Sequence, residues 1–412
     1  MRIGLFTSDF PFREPFELDD REIEGHQWGG VAEVVYNLAI SLNEQGHTVK
    51  VFTVSPTRKD MVQKHERITV YRYGKEFKVA STLLSSRLLW KPMEHQLDVA
   101  HGHLGTPPGA YAALAYSKVR SKPLIVTLHT TYNDVSLEGG SPVRKMAITL
   151  FEKVLCPPLL RGADTITAVS LAVMNDTPAF RPSISRARIV PNGIEIIDLE
   201  QGPAKEECRD RLGLGHNDKI VLYVGSLSEY KSPENLMDAF GRLAPAIPEA
   251  RLVMLGGGPL RNELIASSRR MGVEGRVRLP GFVSEDDKWS YYRAADVFAL
   301  PSRGDAFGIV LLEAAAFGLP LVATDLDVFR ALVDHGRNGL LFAPGNDADL
   351  ASKLSALLQD DGMRQEMGSM ARATAERYDW KEIMGVYGEL YRNVIGPGVQ
   401  RPEVPYEASP RR

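Results

Sequence analysis

Two Rossmann-like α/β domains facing each other across a cleft are what this 412-residue sequence predicts. Two observations carry the expectation. Short runs rich in Val, Ile, Leu and Phe recur along the chain, separated mostly by stretches with helical spacing, as βαβ units and parallel sheets require. The pattern runs once to about Gly193, is broken by the polar, turn-rich EIIDLEQGPAKEECRDRLGLGHND, and then begins again. One large doubly wound sheet is the alternative, and the polar break argues against it. The expected division is 1–195 for the first domain, 196–377 for the second, 378–396 for a C-terminal helix and 397–412 for a disordered tail.

The first strand is RIGLFTS. After a long loop, GGVAEVVYNLAISLNEQG gives a helix with Val31, Val34, Val35, Leu38, Ala39 and Leu42 on one face and Gly46 as its stop, followed by the strand TVKVFTV. VAHGH, LIVTLHT, TITAVS and ARIVPNG continue the first domain as short strands. The second repeats the scheme: KIVLYVGS, the helix SPENLMDAFGRLAP, ARLVMLGGG, a helix beginning at Pro259, RVRLPGF, DVFALPS, the helix of RGDAFGIVLLEAAAFGLP, and PLVAT. YDWKEIMGVYGELYRNVI closes the fold as an amphipathic helix with Trp380, Ile383, Met384, Tyr387 and Leu390 at helical spacing.

Lys and Arg number 49 against 52 Asp and Glu, a formal charge of -3, so no strong field favours nucleic acid as a partner. Cys156 and Cys208 lie far apart without metal-ligand spacing, which suits a reducing compartment. The N-terminus has no apolar run like that of a signal peptide, and no stretch approaches the roughly 20 apolar residues of a membrane span. A soluble, cytoplasmic protein is expected.

In an open α/β sheet, ligands bind beyond the C-terminal ends of the strands, where helix N-termini present free N–H groups. Five loops in such positions carry unusual residues. Gly29 and Gly30 open the first helix, either as a plain helix start or to let an anion approach the backbone. His129 ends a buried strand as a structural or a reactive residue, with His101 and His103 competing for the same role. Lys231 precedes a helix with Ser232 as N-cap and Pro233 at N1; it is a solvated surface residue or a point charge for phosphate. Gly256, Gly257 and Gly258 suit close packing on a ligand or a tight βα turn. In the fifth loop, Asp305 precedes a helix start near Gly308, where the N–H groups of Phe307, Gly308, Ile309 and Val310 are expected to be unpaired and able to hold a phosphate. Glu313 lies in the second turn, among Ala314, Ala315 and Ala316, either at the rim of a buried helix or placed to accept both hydroxyls of a ribose. No metal-ligand grouping accompanies these loops, so neither a metal nor another cofactor is expected.

The order of these loops resembles the retaining, nucleotide-sugar-dependent glycosyltransferases of the GT-B fold, family 4 or group 1, over about residues 1–396. PSRGDAFGIVLLEAAAFGLP fits that family's most specific signature, with VPNGI, GGGP, LPGFVS, AADVFALPS and YDWKEI in the expected order. The resemblance implies that Asp305 contacts the donor sugar hydroxyls and Glu313 the ribose hydroxyls, while Lys231 and the backbone of Phe307, Gly308, Ile309 and Val310 hold diphosphate and sugar. It also implies Gly30, beside Gly29, under the phosphate, Gly257 in the donor site, His129 by the reacting sugar, Val283 presenting backbone to the base, and the C-terminal helix crossing back onto the first domain.

Two departures stand out. Ser226 occupies a position where the family usually has Arg, so one diphosphate cation is missing unless Arg261 or Arg303 substitutes, and Asp305 is one methylene shorter than the usual Glu. The acidic insert PFREPFELDDREIEGHQW is expected to line the acceptor side. The resulting expectation is a metal-independent, retaining transfer of a hexose from a nucleoside-diphosphate sugar to a carbohydrate, lipid-linked or small polar acceptor. A catalytically silent nucleotide-sugar-binding protein and an epimerase of the same fold are the alternatives. LLSSRLLW, from Leu83 to Trp90, is either an amphipathic segment for peripheral membrane contact or a core-facing helix with Arg87 exposed.

Overall fold

The computed structural model describes residues 1–17, 29–79, 82–130, 146, 148–199 and 201–396. They form two compact units, one running to Asn192 and resuming at Trp380, the other Gly193–Asp379. The tail 397–412 and residues 18–28 of the acidic insert lie outside the described residues.

The first unit carries an eight-stranded sheet in the order β10-β9-β8-β7-β1-β2-β4-β3. Its strands are β1 (Arg2–Phe6), β2 (Thr48–Ser55), β3 (Met61–His65), β4 (Ile68–Gly74), β7 (Val99–Leu104), β8 (Leu124–Leu128), β9 (Thr165–Ala168) and β10 (Ala187–Ile189). The pairs are parallel except the edge pair β3–β4. Leu124–Leu128 is buried throughout, which is why it reads as a continuous apolar run: helices cover both faces of a parallel sheet. Trp380–Ile395 packs on this unit, burying the apolar stripe of Trp380, Ile383, Met384, Tyr387 and Leu390.

The loop after β1 is tied down by a residue that no periodicity marks. Arg72 on β4 is fully buried and donates to the Phe10 carbonyl at 2.5 Å, the Pro11 carbonyl at 2.7 Å and Gln63 Oε1 at 2.7 Å. Its guanidinium lies 3.7 Å from the Phe12 ring centroid, and burial lowers its pKa to about 9.

The hairpin β5 (Phe77–Val79) and β6 (Thr82–Leu84) lies apart from the sheet and leads into a helix of only four residues, Arg87–Trp90. In LLSSRLLW, Leu83 and Leu88 face the core as the core-facing alternative expects, but its exposed Arg87 needs correcting. Leu89 and Trp90 are exposed, whereas Arg87 is half-buried and bonded to Asp60 Oδ1 at 2.8 Å, the carboxylate having captured it from solvent.

The second unit has a wholly parallel six-stranded sheet, β13-β12-β11-β14-β15-β16. Its strands are β11 (Lys219–Val224), β12 (Ala250–Leu255), β13 (Val277–Gly281), β14 (Val297–Leu300), β15 (Leu321–Thr324) and β16 (Gly339–Phe342). The polar stretch read as a sparse linker is also corrected: Lys205–Leu212 is a helix of this unit. Its Arg209 is buried and donates to Asp296 Oδ2 at 2.8 Å, with Lys205 on the other oxygen at 2.6 Å. Arg209 and Lys205 thereby tie the helix to Asp296, while Glu206, Glu207, Asp210 and Arg211 stay exposed on its outer face. The helix expected from Pro259 begins at Arg261, because Gly258 to Leu260 are committed to the preceding turn.

Candidate functional site

In the second unit the chain order reverses between β11 and β14, so the loops leaving these two adjacent strands diverge to opposite sides and leave a crevice between them. The first loop carries Lys231 and the second Asp305. Lys231 Nζ donates to Asp305 Oδ2 at 2.5 Å, and the Arg303 amide donates to the Tyr230 carbonyl at 3.1 Å, fastening the loops together. The expected N-cap Ser232 is in place, but at φ 45 its hydroxyl turns back to the Glu229 carbonyl at 3.1 Å instead of capping the helix.

Gly308 is the N-cap of Ile309–Ala316 and sits at φ 91, the left-handed region that a Cβ would strain. Here the structure corrects one expectation. The amides of Phe307 and Gly308 are paired, both donating to Asp305 Oδ1 at 3.3 Å. The carboxylate reaches them because Asp305 sits two and three residues ahead, where a short acidic side chain folds back on the turn. Ile309 and Val310 open the helix, where N–H groups lack an intrahelical acceptor. Burial would raise the Asp305 pKa, but Lys231 and the Phe307 and Ala306 amides outweigh it and hold the carboxyl below its ordinary value. Asp305 is therefore an anion that orients Lys231 and fastens the turn leading into the helix.

Glu313 lies four residues into that helix, about 6 Å along the axis from Ile309. Its side chain is 15% exposed and both oxygens are held: Tyr292 Oη donates to Oε2 at 2.8 Å and Lys288 Nζ to Oε1 at 3.3 Å. Lys288 also bonds Glu285 Oε1 at 2.9 Å. Burial works against the Lys288 ammonium, yet Glu313 and Glu285 raise its pKa above the ordinary value. Burial, then Glu313, pushes the Tyr292 phenol well up, so it stays a donor. Tyr292 and Lys288 are missed by reading the sequence, since a Tyr on a helix facing another helix gives no local sign of a polar partner. A carboxylate has about four lone-pair sites, so Glu313 retains two.

Gly256 and Gly258 answer to packing. A Cβ at Gly256, φ 120, would lie 2.1 Å from the Gly225 carbonyl oxygen, and one at Gly258 2.3 Å from that of Leu227. The Gly257 carbonyl accepts from the Leu227 amide at 2.9 Å, and its Cβ would strike the Phe282 ring at 2.3 Å. Val283, half-buried, follows that exposed phenyl ring beyond β13. Ser226 is exposed, its Oγ 2.9 Å from Ser228 Oγ. Of the two candidate replacements for the missing Arg, Arg261 donates to the Leu279 carbonyl at 3.1 Å, while Arg303 shares the Asp305 loop.

In the first unit Gly29 is the N-cap of Gly30–Glu44 at φ -84, and a Cβ there would meet nothing within 4 Å among the described residues. Neither its conformation nor packing among the described residues requires that glycine. His129, just past β8, is buried with His101 and His103 of β7. His103 Nδ1 lies 2.9 Å from His129 Nε2, and His101 bonds Tyr391 Oη at 2.7 Å and Thr127 Oγ1 at 2.6 Å. Burial drives the His101 and His129 pKa values down to about 3, and the His103 pKa well below its ordinary value. His101 is tied to the C-terminal helix through Tyr391, His103 lies within β7, and His129 follows the end of β8. Among the described residues no group of three or more His, Cys, Asp or Glu side chains is placed to hold a metal ion.

Comparison with known proteins decides the family. The model of glycosyl transferases group 1 matches residues 204–374, and that of glycosyltransferase family 4 matches residues 28–197. A D-inositol 3-phosphate glycosyltransferase of Xylanimonas cellulosilytica is 30% identical over 71% of this chain and 71% of its own. The chain belongs to the group 1 glycosyltransferases. A phosphatidyl-myo-inositol mannosyltransferase of Mycobacterium leprae is 28% identical over 90% of this chain and 94% of its own. The solved structure of Anabaena HepE in complex with UDP-glucose superposes with a TM-score of 0.70 at 21% identity, covering 95% of this chain and 99% of that one. The fold is GT-B, and this group 1 enzyme is a glycosyltransferase. Among the described residues no helix is long and apolar enough to cross a membrane.

Proposed function

We propose that this enzyme moves a hexose from a nucleoside-diphosphate sugar to a hydroxyl acceptor, with retention of configuration and without a metal ion. The observation that carries the reading is the Lys231–Asp305 pair at the strand-order reversal of the second unit, with Glu313 on the helix that follows the Asp305 turn. Relatives named for a mannosyl transfer, and a fold neighbour solved with UDP-glucose, support a nucleotide-sugar donor.

Each residue then has a task. Glu313, held by Tyr292 and Lys288, has two lone-pair sites left for two ribose hydroxyls. Lys231 keeps two ammonium protons for the diphosphate, with Ile309 and Val310 N–H beside it and Arg303 in place of the cation lost at Ser226. Asp305 keeps Oδ2 capacity for one sugar hydroxyl, and the Val283 backbone and Gly257 loop serve the base end. Gly29 and Gly30 leave the start of the first helix open to a phosphate, and His129 serves the transferred sugar. In the reaction the bond from the anomeric carbon to the diphosphate oxygen breaks and a bond to the acceptor oxygen forms. Lys231 and the helix start stabilise the charge that develops on the departing diphosphate. The acceptor proton passes to a diphosphate oxygen, so no protein base is required. Buried, unpaired Cys156 and Cys208 suit a cytoplasmic setting.

Exposed Phe77, Val79, Leu89 and Trp90 beside Lys78 favour a lipid-linked acceptor met at an anionic membrane surface. Flotation with anionic vesicles tests that part, and absence of binding removes it. Release of nucleoside diphosphate from UDP-, GDP- and ADP-sugars, with and without EDTA, tests the rest. Turnover that survives the chelator is expected; activity abolished by EDTA and restored by Mg²⁺ or Mn²⁺ contradicts the metal-free step.

A further inference from the structure

The buried histidines of the first unit contain a detail that fixes where protons sit. β7 alternates between its two faces. At Gly102 a Cβ would lie 2.9 Å from Ala110 Cα, so that face is closed by the helix Pro107–Arg120. His101 and His103 share the other face, with ring centroids 4.2 Å apart. The His103 and His129 rings stack at 5.2 Å with 24° between their planes. Both nitrogens of His101 meet hydroxyls, which donate or accept as needed, so its tautomer is free.

His103 has no such freedom. Its Nδ1 faces His129 Nε2, while its own Nε2 is buried and, among the described residues, has no hydrogen-bond partner. One of the two nitrogens in the His103–His129 contact must carry the proton. If His129 donated, the single proton of neutral His103 would sit on Nε2 as a buried N–H with no acceptor. Orphaned donors of that kind are the rarer defect in folded proteins. If His103 Nδ1–H donates, Nε2 is left as a bare lone pair and His129 Nε2 becomes the acceptor. The neutral state of both rings, favoured by their burial, is what makes the choice binary.

We infer that His103 is a positioning residue that locks His129 in the Nδ1–H tautomer, so that His129 offers the transferred sugar a hydrogen-bond donor and never a base. The part that concerns the sugar rests on the function proposed above; the tautomer does not. His129 then orients or polarises a sugar oxygen, consistent with a reaction whose proton leaves on the diphosphate.

The test has two arms. In protein labelled with ¹⁵N-histidine, two- and three-bond ¹⁵N–¹H correlations distinguish protonated Nδ1 from protonated Nε2. Signals are assigned by their loss in His103→Asn and His129→Asn. The expected spectrum shows Nδ1–H for both rings in the unaltered enzyme; an Nε2–H tautomer at His129 overturns the inference whatever the enzyme's donor. The kinetic arm compares His103→Leu with His103→Asn, whose amide keeps a donor near the Nδ1 position. His103→Leu should lower kcat at least tenfold with the donor KM within twofold, and His103→Asn should recover most of it. Equal losses in the two variants, or no loss in His103→Leu, overturn the positioning role. If no nucleotide sugar is turned over by any form, the donor assignment has failed, and the spectrum still decides the tautomer.

Discussion

Lowering the pH from 8 to 5 should cost the first unit about 4 kcal/mol through two buried imidazoles alone. His101 and His129 titrate at about 3 in the fold against an ordinary 6.5, because burial penalises the charged ring. The folded pKa is depressed, so the unfolded chain binds protons that the folded one does not. Stability is complete above pH 6.5 and is lost progressively as pH falls towards 3. At pH 5 each histidine lies about 1.5 units below its unfolded pKa, about 2 kcal/mol per ring at 1.36 kcal/mol per unit. His103, whose pKa lies well below its ordinary value, adds in the same direction. The window from pH 8 to 5 lies above the range in which the carboxylates held low by ion pairs, such as Asp98 and Asp305, take up protons. The assay is a series of urea titrations by circular dichroism at pH 8, 6.5, 5.5 and 5, on the parent and on His101→Gln. The parent should lose stability with a slope approaching one proton per buried histidine, and the variant should lose about 2 kcal/mol less by pH 5. A flat parent curve, or a variant with the same slope, would refute the claim that these rings are buried and neutral.

Glu313→Ala should abolish measurable nucleoside diphosphate binding while the fold persists, and Glu313→Gln should be milder. Tyr292→Phe should weaken binding about tenfold, about 1.4 kcal/mol, by freeing the carboxylate to turn. Calorimetry decides, and parent-like affinity in Glu313→Ala removes the ribose assignment. Gly256→Ala should destabilise the second unit by about 2 kcal/mol or more, since both φ 120 and the Gly225 carbonyl oppose a methyl group. Gly29→Ala should leave stability within about 0.5 kcal/mol, because no described residue lies within 4 Å of the added methyl, yet weaken donor binding. A Gly29→Ala enzyme with unchanged donor affinity returns that glycine to an ordinary helix start.

Parallel strands announce themselves because burial on both faces makes them apolar runs, so β1, β2, β7, β8, β11, β12 and β14 were legible, as was the C-terminal helix stripe. The antiparallel pair β3–β4 was not, since β3 runs Met61, Val62, Gln63, Lys64, His65 and offers neither an apolar run nor a clean alternation. β16 begins at Gly339 directly after the turn-rich DHGRN and so merges with a loop. The helix Lys205–Leu212 was hidden because only Cys208 and Arg209 of it are buried, so no apolar stripe marks it. At the site, Lys231, Asp305 and Glu313 could be found from their loops, but not that Lys231 and Asp305 are each other's nearest partner. That contact joins residues 74 positions apart. Nor could the order of the strands that brings them together be read locally. The same holds for Tyr292 and for the proton arrangement of His103 and His129, which depend on packing between elements.

The central claim is retention in a transfer driven by stabilising the departing diphosphate. Its most direct measurement is the anomeric proton coupling of the glycoside formed from an accepted nucleotide sugar, followed by NMR from the first turnovers. The product should carry the donor's anomeric configuration, formed at a kcat that Lys231→Ala lowers more than His129→Ala does. A product of inverted configuration, or a dead His129→Ala beside an active Lys231→Ala, would contradict the account.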